Sequence, residues 1–126
     1  MEIKSAKELI VNQKAYDLGM RIFEASKAFP PEERYALTSQ MRRSSRSVCL
    51  NLREAWAKRR YEAHFVSKLT DCEGENSETD SSLDFALDCK YITLAEHETL
   101  RNLSLEIGRM LGAMIKHPES FLTSDL

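Results

Sequence analysis

Apolar residues return along this chain every three, four or seven positions, the spacing that gathers them on one side of an α-helix. Four such stretches can be traced. In the first, Val11, Ala15, Leu18, Ile22 and Phe29 form the inner stripe, Ser5-Ala-Lys-Glu8 reads as an opening capping box, and Phe29-Pro30-Pro31 is the stop, because a residue before proline disfavours helical backbone. The second is introduced by Pro31, Glu32 and Glu33, residue types a helix start favours. Its stripe is Leu37, Met41, Ser44, Val48, Leu52 and Ala55, with Cys49 and Trp56 at the edge. The third carries Phe65, Leu69, Cys72, Asn76, Thr79, Leu83, Ala86 and Leu87, so the middle of its inner face is polar. After a connection at Lys90-Tyr91-Ile92, Thr93-Leu-Ala-Glu96 is a second capping box. Leu100, Leu103, Ile107, Met110, Leu111 and Met114 then run to a stop at His117-Pro118.

The pattern predicts helices over about 6–29, 35–58, 61–89 and 94–116, with 118–126 a frayed tail. Helices of this length joined by short turns pack antiparallel. The expected fold is therefore all-α, an up-down antiparallel four-helix bundle in a single domain. Composition agrees, since 126 residues suffice for one core and the few Gly and Pro leave long uninterrupted stretches. Cys49, Cys72 and Cys89 are too widely spaced for a disulfide framework or a zinc ligand set. The N-terminal run lacks the apolar centre of a signal peptide, and no long apolar run follows it. A reducing cytoplasm is the expected compartment, without membrane contact.

Charge changes this picture locally. Acids and bases nearly balance, at a net −2, so any electrostatic function must come from clustering. Between Gln40 and Arg60 stand Arg42, Arg43, Arg46, Arg53, Lys58, Arg59 and Arg60, opposed only by Glu54. On one continuous helix Arg42, Arg46, Arg53 and Arg60 fall within roughly 40° of one another and roughly 130° from the inner stripe. From Asp71 to Asp88 the sign reverses, with acids and no Lys or Arg. The basic ridge suits the phosphates of RNA or DNA, although no aromatic residues are interleaved in it and no groove-reading motif is present. Alternatively the arginines pair with carboxylates of the third helix, in one chain or between subunits. Glu73, Glu78, Asp80 and Asp84 are then the candidates for the subunit interface.

Catalytic patterns are missing. No Glu-x-x-His pair is available for a dimetal site, because Tyr61, Leu94 and Met114 stand three positions before His64, His97 and His117. No histidine neighbours a cysteine in sequence, and there is no Gly-rich phosphate loop. No enzymatic activity, cofactor, metal or small-molecule substrate is expected. Gly108 and Gly112 read as a close helix crossing, and Cys72, Asn76 and Thr79 as a layer that selects one register or lines a hydrated cavity.

These residues also carry a family resemblance. Phe29-Pro-Pro-Glu-Glu-Arg-Tyr-Ala-Leu-Thr-Ser-Gln-Met-Arg-Arg43, then Ser47-Val48, Asn51 and Glu54, resembles the signature of the bacterial four-helix bundle proteins encoded in 23S rRNA intervening sequences. It continues through Gly74, Glu78, Asp80, Leu83 and Tyr91-Ile92, and covers about Asn12 to Met114. Two departures stand out. Asn76 and Thr79 replace a Leu-rich third helix, and Asn51-Leu-Arg-Glu-Ala55 replaces an Asn-Ile-Ala-Glu-Gly run, which adds Arg53 to the ridge. The resemblance implies a homo-oligomer, commonly a pentamer, and adds no catalytic residue. A related group, the accessory proteins of diversity-generating retroelements, binds nucleic acid and a reverse transcriptase through a basic surface.

Overall fold

A computed structural model describes residues 3–123. Among them four α-helices are found and no strand: α1 (Ile10–Ser26), α2 (Leu37–Ala57), α3 (Glu62–Asp88) and α4 (Leu94–Lys116). Short 3-10 turns at Ala6–Glu8, Pro31–Glu33 and Pro118–Phe121 fill in around them. Each helix packs on the one before it, and α1 closes the ring against α4. The diagonal pairs make no close backbone approach. Side-chain bonds fix the directions. Arg43 reaches Glu78 whereas Glu54 meets Lys68, and Asp84 meets His97 whereas Asn76 meets Ser104, so α2 with α3 and α3 with α4 run antiparallel. Likewise Ser26 meets Arg42 whereas Asn12 meets Cys49 across α1 and α2.

The inner stripes meet in one core that buries Leu18, Ile22, Met41, Leu52, Phe65, Leu69, Leu83, Ile107 and Leu111. Leu87, Leu103 and Met110 are only partly buried against it. The polar middle of α3 is closed by direct bonds. Ser44 and Thr79 hydroxyls lie 2.8 Å apart, Asn76 Nδ2 donates to the Ser104 carbonyl at 2.9 Å, and Ser104 Oγ donates to Asn76 Oδ1 at 3.4 Å. Such a belt rewards one register of α2, α3 and α4, since any slip leaves buried polar atoms without partners. The glycines of α4 do not mark a close crossing. A Cβ at Gly108 would meet only Asn76 Nδ2, at 3.5 Å, and one at Gly112 would meet nothing within 4 Å.

Three boundaries differ from the sequence pattern. Ser5 and Glu8 do cap, accepting from the Lys7 and Lys4 amides, yet they close a single 3-10 turn, and Leu9 is extended before α1 begins. On an unbroken helix Ala6 and Leu9 would each point roughly 150° away from the Val11-to-Ile22 stripe. The break at Leu9 lets both be buried. At the other end α1 stops at Ser26, and Phe29 still reaches the core from the following turn. The C-terminal stretch is docked as far as Phe121, which lies 6.2 Å from Phe65 between ring centres, and Pro118 is buried. The remainder of the expected tail, 124–126, lies outside the described residues.

Candidate nucleic-acid interface on α1 and α2

The basic residues of the ridge separate into three groups once α2 has neighbours. Arg43 faces α3, where Nη2 donates to Glu78 at 2.6 and 2.7 Å and Nη1 to Glu75 at 3.1 Å. The Glu78 hydrogen bond, followed by the charge of Glu75, raises the Arg43 pKa above its ordinary value. This arginine is neutralised within its own chain. Arg59 forms the second group. Its guanidinium stacks 3.6 Å from the Trp56 ring centre, Nε donates to the Trp56 carbonyl and Nη1 to the Phe121 carbonyl. It fastens the C-terminal turn to the end of α2.

The third group faces α1. Arg42 donates from Nε to Ser26 Oγ at 2.8 Å and lies 4.9 Å from the Phe23 ring centre, while Arg46 lies 5.8 Å from the same ring. Aromatic residues are thus present beside the ridge. Trp56, under Arg59, belongs to α2 itself, whereas Phe23 comes from the neighbouring helix, where a scan along α2 alone does not find it. Among the described residues no carboxylate lies within ion-pair distance of Arg42, Arg46, Arg53, Lys58 or Arg60. Arg60 nevertheless leaves the ridge as a helical face, because α2 ends at Ala57 and Arg60 sits in the turn before α3. With Trp56, Arg59 and Thr123 it lines a cleft of about 290 Å³.

The acidic candidates are largely satisfied inside the chain. Glu78 holds Arg43, Asp84 Oδ1 lies 2.8 Å from His97 Nε2, and Asp80 Oδ1 is 3.8 Å from Arg101 Nε. That last distance is too long for a hydrogen bond, and the buried Asp80 oxygen has no other partner among the described residues. Glu73 has no cation within ion-pair distance among the described residues. On the α2 side Lys68 binds Glu54 at 2.8 Å and Asp71 at 3.1 Å, which raises the Lys68 pKa and, through the Lys68 hydrogen bond, lowers that of Glu54.

The two ends of the family-like signature meet at one end of the bundle, a proximity the sequence does not display. Glu33 accepts from the Leu37 amide, capping α2, and also from the Tyr91 hydroxyl at 2.9 Å. Phe29 and Tyr91 rings are 5.3 Å apart. Phe29, Glu33 and Tyr91 of the signature therefore join the α1–α2 connection to the α3–α4 connection. Burial pushes the Cys49 and Cys72 thiols up to about 11 and about 12, far from thiolate. Among the described residues no group of His, Cys, Asp and Glu is arranged to hold a metal ion, and no helix is long and apolar enough to cross a membrane.

A model of the 23S rRNA-intervening sequence proteins matches residues 7–113. Among solved structures, the chain is similar to a protein of unknown function from the S23 ribosomal protein family of Bacteroides thetaiotaomicron. The two are 30% identical, with a TM-score of 0.76 over 85% of this chain and 96% of that one. No curated protein matches the chain.

Proposed function

The chain belongs to the 23S rRNA-intervening sequence protein family, and from there we propose a non-enzymatic, oligomeric four-helix bundle that associates with RNA or DNA, or scaffolds such an assembly, through the α1-facing side of α2. The supporting observation is that Arg42, Arg46 and Arg53 share this side without a carboxylate partner among the described residues, whereas Arg43 on the opposite flank is doubly paired. Lys58 and Arg60 extend the positive charge past the helix end. Phosphates would replace the solvent these groups now face and release the counterions condensed on the nucleic acid. The family resemblance makes a homopentamer the expected assembly.

In the native assembly, affinity for structured RNA or DNA should fall steeply with salt, and Arg46→Glu combined with Arg53→Glu should abolish it while the mass by light scattering stays unchanged. Binding that ignores salt, or none at all, overturns the proposal. Two observations favour a second reading, a self-assembling interaction module with no nucleic-acid role: Leu50, between Arg46 and Arg53, is 64% exposed, and Glu73 has no partner among the described residues. If those arginines instead meet carboxylates of another copy, the same double variant breaks the oligomer.

A further inference from the structure

The arginine side of α2 does not stand alone, because apolar groups of α1 lie open beside it. Asn12 of α1 meets Cys49, and a Cβ on Gly19 would meet Ser45 at 3.9 Å, so the turn between them brings Tyr16 level with Arg46 and Cys49. Tyr16 and Phe23 are seven residues apart and share a face of α1, and Phe23 is the ring on which Arg42 and Arg46 rest. Tyr16 is 64% exposed.

We propose that this face takes an unpaired single strand of nucleic acid, with a base stacked on Tyr16 and the flanking phosphates held by Arg46 and Arg53. The proposal rests on the nucleic-acid role proposed above and narrows it to one class of strand. A duplex offers phosphates outside and hides its bases, so Tyr16 would gain nothing from it. An unstacked base has two apolar faces to cover, and positive side chains alternating with aromatic platforms are how sequence-tolerant single-strand binding is built. Phe23 contributes by position. A π face steadies the guanidinium groups without cancelling their charge, as a carboxylate would. Arg46 and Arg53, two turns apart, lie about 10 Å from each other along the helix axis, which leaves room for a base between the phosphates they bind.

The test is fluorescence anisotropy on the native assembly with a labelled oligouridylate of about 12 nucleotides and a duplex RNA of equal length. The single strand should bind at least about tenfold more tightly than the duplex. Tyr16→Ala should remove most of that preference, Tyr16→Phe should keep it, and neither should change the mass by light scattering. Equal or tighter binding of the duplex overturns the single-strand proposal and leaves the broader role standing, and so does full single-strand affinity in Tyr16→Ala. A change of assembly in Tyr16→Ala overturns it by making Tyr16 a contact between copies. If neither nucleic acid binds the unmodified protein, the proposed function itself fails.

Discussion

Arg43 and Arg46 stand three residues apart on α2, both exposed, and meet opposite electrostatic conditions. Glu75 and Glu78 absorb the charge of Arg43, while Arg46 leans on Phe23 and keeps its own. Periodicity sets Arg43 roughly 60° off the ridge that holds Arg46, but it could not say which of the two meets carboxylates, because that depends on which helix lies against each flank. For the same reason the aromatic ring under the arginines was invisible in the α2 segment. The polar belt was legible as Asn76 and Thr79 at inner positions, but its partner Ser104 carried no signal of its own. The belt predicts a specific energetic coupling. Thr79→Val leaves Ser44 Oγ without its best partner and should lower stability in urea unfolding by about 1–2 kcal/mol. Adding Ser44→Ala should cost less than Ser44→Ala does in the unmodified protein, because the shared bond is already gone.

Element boundaries were legible where local chemistry and tertiary packing agreed. The Thr93 capping box and the His117-Pro118 stop put the fourth helix at 94–116, and α4 spans Leu94–Lys116 with both halves of the box formed. At Ser5 the same signal opens only one 3-10 turn, since burying Ala6 and Leu9 together requires the break that follows. The end of α3 hid a different feature. Lys90 adopts φ 64°, its amide bonds to the Leu87 carbonyl and the Tyr91 amide to that of Ala86, the paired bonds of a Schellman cap. Glycine is the usual residue at this left-handed position, so nothing in the sequence announced the motif. Lys90→Gly should raise the stability measured by thermal unfolding by about 1 kcal/mol, by removing the Cβ strain of that conformation. A lowered melting temperature would show that the Lys90 side chain contributes more than its backbone strain takes away.

At the scale of the whole bundle, three fastenings divide the length: the Glu33 and Tyr91 clamp at one end, the Ser, Thr and Asn belt midway, and the Arg59 stack at the other end. The all-α class followed from periodicity alone, whereas the two end fastenings join residues 58 and 62 positions apart and needed the fold to become visible. The clamp predicts a pH dependence. The hydrogen bond to Glu33 pushes the Tyr91 phenol from 10.0 up to about 12, so the folded state holds this proton more tightly than the unfolded chain. Its stabilising contribution is complete below pH 10 and fades as pH rises toward 12. Thermal melts of the protein and of Tyr91→Phe should therefore differ below pH 10 and converge toward pH 12; a constant difference across that window would exclude the linkage. The opposite end has a consequence of another kind. Trp56 is the only tryptophan of the chain, and it sits under a guanidinium that also grips the carbonyl of Phe121. Its emission is a built-in optical gauge of that seam, able to signal release of the last turn while the far end of the molecule is still closed.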